Sequence, residues 1–180
     1  MVYKSTLLDA DAVSRALKRI SYEIPEKNHG TDDLCIIGIK SRGISIAKTI
    51  CDNISKNEGV TLPCGQLDIS LYRDDLTVFH TDAHLNRADI PFDINGKTVI
   101  LTDDVIFTGR TVRAAIEALF TLGRPKAIRL AVLIDRGHRE LPIKPDFVGK
   151  NIPTSLNEVI KVSFPEFDGT DVAVKIYSKD

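Results

Sequence analysis

The sequence predicts an α/β domain with a mainly parallel central sheet flanked by helices. Short apolar runs of strand length alternate with stretches whose apolar residues recur at helical spacing. Polar, glycine-containing segments follow the ends of the runs, as strand–helix–strand units require. A chain of 180 residues that is 43% hydrophobic and 27% charged suits one domain, 1–180, with its own buried core.

Val13, Ala16, Leu17, Ile20 and Ile24 fall at helical spacing, with Arg15, Lys18 and Arg19 on other faces. Asp9 or Asp11 suits the cap of that helix, and residues 28–30 its end. Leu34–Ile39 is a continuous apolar run, the pattern of a strand buried on both faces. Ala47, Ile50, Cys51 and Ile54 give a second amphipathic helix that closes near Gly59. Leu67, Ile69 and Leu71 alternate with Asp68, Ser70 and Tyr72, which predicts a strand with two unlike faces. Residues 73–91 turn polar, and a structureless stretch of that length is either a functional lid or a disordered segment.

A further buried strand is predicted at 98–101, followed at once by Asp103 and Asp104. Val112, Ala115, Ile116, Leu119 and Phe120 mark the clearest helix, ended by Gly123 and Pro125. Residues 128–134 read as another strand. The tail from about 136 to 180 carries Pro142, Pro145, Pro153 and Pro165 and the alternating Val172, Val174 and Ile176. It reads as a small hood of short strands beside the main sheet.

The formal net charge of −1 supplies no global basic field, so a nucleic-acid site would be a local patch assembled by oligomer symmetry. Cys35, Cys51 and Cys64 are odd in number and form no metal-binding or disulfide spacing; Cys35 and Cys51 lie in apolar stretches as small core residues. No signal-peptide pattern and no membrane-length apolar run is visible, so a cytoplasmic protein is expected.

In parallel sheets ligands bind outside the carboxyl ends of the strands. Three polar segments fall there: 40–43, 72–75 and 103–111. Residues 99–111 read VILTDDVIFTGRT. A strand delivers two carboxylates, then a turn with Gly109, then a helix starting at Arg110 and Thr111. The helix N-terminus suits a phosphate, Thr108 and Thr111 add hydroxyls, and Gly109 lets backbone approach. Carboxylates beside a phosphate repel unless something separates them, and a ribose does so, its hydroxyls on the acids and its 5′-phosphate at the helix. Neither a Walker A loop nor GxGxxG is present.

Residues 99–111 resemble the 5-phosphoribosyl-1-pyrophosphate (PRPP) signature of the type I phosphoribosyltransferases. Gly38-Ile-Lys-Ser-Arg-Gly43, Asp68-Ile-Ser-Leu-Tyr-Arg-Asp-Asp-Leu76, Asp135-Arg-Gly-His-Arg-Glu-Leu-Pro-Ile143 and Gly149-Lys-Asn-Ile-Pro-Thr-Ser155 narrow the resemblance. They are similar to the bifunctional pyrimidine operon attenuation regulators with uracil phosphoribosyltransferase activity, from residue 8 to about 176.

The resemblance implies the type I phosphoribosyltransferase fold and two functions. One is transfer of phosphoribosyl from PRPP to uracil, giving UMP and pyrophosphate. The other is uridine-nucleotide-responsive binding of a leader mRNA hairpin of pyrimidine genes, which promotes transcription termination. The alternative is the enzyme alone; a purine base would fit 103–111 equally well but not the tail.

Asp103 and Asp104 would hold the ribose hydroxyls while Val105, Ile106, Phe107, Thr108, Gly109, Arg110 and Thr111 wrap the 5′-phosphate. Lys40, Ser41, Arg42 and Gly43 would form the pyrophosphate loop, with Gly43 making its tight turn and Ser41 standing where the family often has Thr. Arg73 would close over the leaving group, with His80 and His84 solvated in the same segment. Arg136 could complete the anion site, Ile160 would offer main-chain groups to the base, and Mg²⁺ would enter with PRPP. For RNA the candidates are Lys18, Arg19, Lys27 and Lys150, with Lys40, Arg139 and Lys144 near other matching segments. A homodimer or higher oligomer is implied.

Overall fold

The computed structural model describes residues 1–69 and 88–179. The chain opens with β1 (Val2–Leu8) and then α1 (Ala10–Asn28), whose buried stripe includes Val13, Leu17, Ile20 and Ile24. Of the two candidate caps it is Asp9 that serves, its carboxylate accepting the Ala12 N–H at 2.8 Å. The helix stops in a left-handed residue, His29, whose N–H returns to the Glu26 carbonyl.

β2 (Leu34–Ile39) is buried along its whole length and leads into α2 (Arg42–Glu58), which Gly59 ends. There follow β3 (Cys64–Leu67), β4 (Ala88–Asp89), β5 (Thr98–Ile106), α3 (Arg110–Leu122), β6 (Ala127–Asp135) and β7 (Phe147–Asn151). These strands form one sheet in the order β4-β3-β2-β5-β6-β7, parallel except for β4. Alternation along the strands splits the core. Ile36, Ile100 and Leu133 pack with α1 and α2 on one face, and Ile37, Leu101 and Val132 with α3 on the other.

The chain ends with β8 (Glu158–Ser163), α4 (Pro165–Asp168) and β9 (Ala173–Ser178). Here β1, β9 and β8 form a separate antiparallel sheet, the hood.

Four expectations need correction. The strand placed around 67–71 lies at Cys64–Leu67; Ile69 is buried beyond its end, and Leu71 falls outside the described residues. β5 does not stop at residue 101: β6 pairs with it as far as Ile106↔Asp135, so Asp103 and Asp104 belong to the strand. Residues 88–89, assigned to the lid, pair with Gln66 and Leu67. The tail is not wholly hood, because β7 extends the main sheet, and the hood includes β1, which no periodicity announced. Five of the seven β1 residues are exposed, on both faces, so no apolar stripe marks it. Among the described residues no helix is long and apolar enough to cross a membrane.

Candidate active site

The carboxyl ends of β2, β5 and β6 converge as their topology demands. Asp103 is 8% exposed. Its Oδ1 accepts the Asp104 N–H at 2.9 Å, and Asp104 Oδ1 accepts the Val105 N–H at 2.8 Å. Burial, and then the charge of Asp104, pushes the Asp103 carboxyl well above the usual carboxylate range. Burial also raises Asp104, opposed by the Val105 N–H and by Arg42. This is an acidic pair that is costly to ionise together while empty.

The turn 40–43 lies flush against that pair. Thr102 Oγ1 donates to the Gly43 carbonyl at 2.8 Å. A Cβ on Gly43 would stand 2.5 Å from the Thr102 carbonyl oxygen, and one on Gly38 2.6 Å from the Gly43 oxygen. Gly43 lies in the first turn of α2 without positive φ, so close packing rather than a tight turn requires glycine there. The Lys40–Ser41 peptide is cis. Lys40 Nζ pairs with Asp68 at 3.1 Å, beside a cleft of about 160 Å³ that also reaches Gln66 and Asp89. Ser41 makes no side-chain cap, and Arg42 reaches Asp168 of α4.

Beyond the acids, Gly109 adopts φ 94°, and α3 starts without a side-chain cap. The positive φ is what demands glycine, since a Cβ there would make only ordinary contacts at 3.5 Å. Arg139 donates to the Phe107 carbonyl at 2.7 Å, to Asp135 at 2.5 Å and to the Ile143 carbonyl at 3.0 Å. The Thr108 carbonyl accepts from Glu140 and Leu141. These bonds hold the carbonyls of the turn where α3 begins, and the Arg110 N–H meets Thr108 Oγ1 at 3.3 Å; a helix start of this kind suits an anion. The Arg110 guanidinium pairs with Glu140 at 2.6 Å on the exposed side of the turn.

Arg136 differs from expectation. It is 6% exposed and its guanidinium is taken by the segment leading into β8, donating to Thr154 Oγ1 at 2.9 Å and the Ser155 carbonyl at 3.0 Å. It also lies over the Phe107 ring at 4.1 Å, so it fastens the segment before β8 to the 107–111 turn rather than lining an open anion site. Ile160 buries its side chain in the core. The Lys179 N–H donates to the Asn157 carbonyl, so in the β8–β9 register Val159 and Lys161 bond to β9. The N–H and carbonyl of Ile160 therefore face the open edge of β8.

Two of the basic candidates are occupied where α1 meets β7. Arg19 donates to the Val148 and Gly149 carbonyls at 2.9 and 2.7 Å and to Glu23 at 2.6 Å. Lys27 pairs with Asp146 at 3.0 Å above Phe147. Lys18 and Lys150 are exposed. Arg73, His80 and His84 lie outside the described residues.

A parallel sheet whose strand ends present an acidic pair, an anion-cradling turn and a second glycine-bound turn has the design of a phosphoribosyltransferase. The family described as the phosphoribosyl transferase domain matches residues 4–166. The bifunctional protein PyrR of Caldicellulosiruptor bescii is 59% identical over 90% of this chain and 89% of its own. PyrR of Clostridium beijerinckii is 55% identical over 99% of this chain and 100% of its own. The chain belongs to the phosphoribosyl transferase family and, within it, with the bifunctional PyrR proteins. The hypoxanthine phosphoribosyltransferase of Trypanosoma cruzi shares the fold, with TM-score 0.74 at 17% identity over 99% of this chain and 98% of that one.

Proposed function

We propose that the protein transfers phosphoribosyl from PRPP to uracil, giving UMP and pyrophosphate, and binds a leader mRNA hairpin of pyrimidine genes in response to uridine nucleotides. The observation that carries the enzymatic half is the placement of Asp103 and Asp104 between the 40–43 turn and the 107–111 turn. Asp103 and Asp104 would take the ribose hydroxyls, residues 105–111 the 5′-phosphate, and Lys40, Ser41, Arg42 and Gly43 the pyrophosphate. Ile160 would offer one donor and one acceptor to the base from its open edge, and Arg73 would close the leaving-group end. Holding both reactants in line and excluding water is the main work, because an oxocarbenium-like transition state would be captured by water.

Ligand hydroxyls and a divalent cation would offset the burial that raises both carboxyls and the Asp104 charge that adds to it at Asp103, so these residues fit PRPP carried with Mg²⁺. The cation would neutralise charge developing on the pyrophosphate. Incubating the protein with PRPP, Mg²⁺ and either uracil or hypoxanthine tests this half. UMP should form from uracil, with hypoxanthine turned over at least about 100-fold more slowly. Equal rates would overturn the choice of base.

The regulatory half rests on kinship with proteins called bifunctional, supported by the α1–β7 basic region. We place the protein in the cytoplasm, as a homodimer or higher oligomer that sets two such regions side by side. The engaged state of Arg19 changes the way to test it. Lys18→Gln should weaken hairpin binding and lower its salt slope by about one unit without moving the melting temperature. Arg19→Gln should lower the melting temperature by roughly 2–4 °C as well, having lost its hold on β7. Hairpin affinity unchanged in Lys18→Gln would remove α1 from the RNA surface.

A further inference from the structure

Arg42 opens α2 and, on the reading just given, meets the pyrophosphate of PRPP; the inference that follows rests on that reading. Its guanidinium is already held. Nε donates to Asp168 Oδ2 at 3.2 Å and Nη2 to Asp168 Oδ1 at 2.5 Å, a two-bond fork. The arginine side chain is 35% exposed and the aspartate 21%. Asp168 is fixed in turn, since its Oδ2 also accepts the Phe164 N–H at 2.9 Å and its own N–H returns to the Phe164 carbonyl at 2.8 Å. One turn further along α2, Ser45 donates to Glu166, so the short α4 grips the first turn of α2 at two points.

Hydrogen bonding to Asp168, with the charges of Asp168 and Asp104 behind it, keeps the Arg42 pKa above its ordinary value despite partial burial. A guanidinium has five N–H donors in a rigid plane. The fork engages two of them, and the others lie on edges that Asp168 does not cover.

We infer that Asp168 is a positioning residue for the pyrophosphate end of PRPP: it holds Arg42 so that its unused N–H groups meet the incoming anion. The sign of its effect follows from two opposed terms. An unheld arginine would lose its rotamer freedom at every binding event, a cost on the order of a tenfold loss of affinity. The negative charge of Asp168 repels pyrophosphate, but Arg42 already neutralises it and water screens it. Pre-organisation wins.

The test measures PRPP binding with Mg²⁺ by calorimetry, and KM and kcat with uracil, for the wild type, Asp168→Asn, Arg42→Ala and the double variant. Asparagine can still accept the Phe164 N–H, so the hood should persist. The dissociation constant and KM for PRPP should rise about tenfold in Asp168→Asn, with UMP affinity unchanged. Within the Arg42→Ala background the same substitution should add nothing, because Asp168 acts through Arg42. Asp168→Glu, which keeps the charge one methylene away, should fall between wild type and Asp168→Asn.

Wild-type or tighter PRPP binding by Asp168→Asn would overturn the role while leaving the assignment of the site intact. So would a full additional loss in the Arg42→Ala background. A wild-type protein that binds UMP but not PRPP would remove the pyrophosphate reading itself, and this role with it.

Discussion

With Asp103 and Asp104 both changed to asparagine, phosphoribosyl transfer should fall on the order of 10³-fold or more, while the protein melts no lower than the wild type. Activity falls because the ribose loses its two carboxylate acceptors. Stability holds because the wild-type pair is a burden when empty: burial raises both carboxyls, and for Asp103 the neighbouring charge adds to this. A carboxyl raised on folding favours the folded state below its unfolded value, and that advantage is lost as pH rises through the raised value. The melting-temperature gap between variant and wild type should therefore open as pH rises from about 4 towards about 7. Differential scanning calorimetry across that range checks the sign. A gap that widens on acidification, or near-normal turnover by the variant, would refute the assignment of the pair.

Gly43→Ala should damage both stability and transfer. The new Cβ would stand 2.5 Å from the Thr102 carbonyl oxygen and 3.3 Å from the Asp103 Cα, both backbone atoms of a central strand with nowhere to move. The helix must then retreat from the sheet, at a cost of about 1–3 kcal/mol for overpacking. Displacing the 40–43 turn by about an ångström from the acidic pair should cost transfer on the order of 10²-fold beyond the stability loss. Gly59→Ala is the contrast: φ is 68° with no atom within 4 Å of the new Cβ, so strain of about 1 kcal/mol should come with full activity. Urea unfolding and initial rates on both variants separate the effects. Equal activity in the two would show that the 40–43 turn does not need its contact with β5.

What the sequence made legible followed from local pattern. Leu34–Ile39 declared a doubly buried strand because nothing polar interrupts it, and residues 110–111 declared a helix start because Gly109 precedes them. The acidic pair was visible for the same reason, as two charges at the end of an apolar run. What stayed hidden depended on partners far along the chain. Arg42 reads as a free cation until Asp168, 126 positions later, is placed against it. Arg19 looks like a solvated charge until the carbonyls of Val148 and Gly149 arrive beneath it. Arg136 looks like an anion ligand until Thr154 and Ser155 close over it. In each case the residue type was read correctly and its partner was not, because a basic side chain carries no sequence signal of what will neutralise it.

The hood sheet joins Val2 to Ser178 and Leu8 to Val174. A ribosome releases the first of these strands long before the last, so the nascent chain can close its six-stranded sheet from local strand–helix units while β1 waits without a partner. Completing the hood means closing a loop that spans nearly the whole chain, the slowest kind of contact to form. The edge on which Ile160 lies is therefore finished last, and a truncated translation product would carry the acidic pair and the 107–111 turn without the hood.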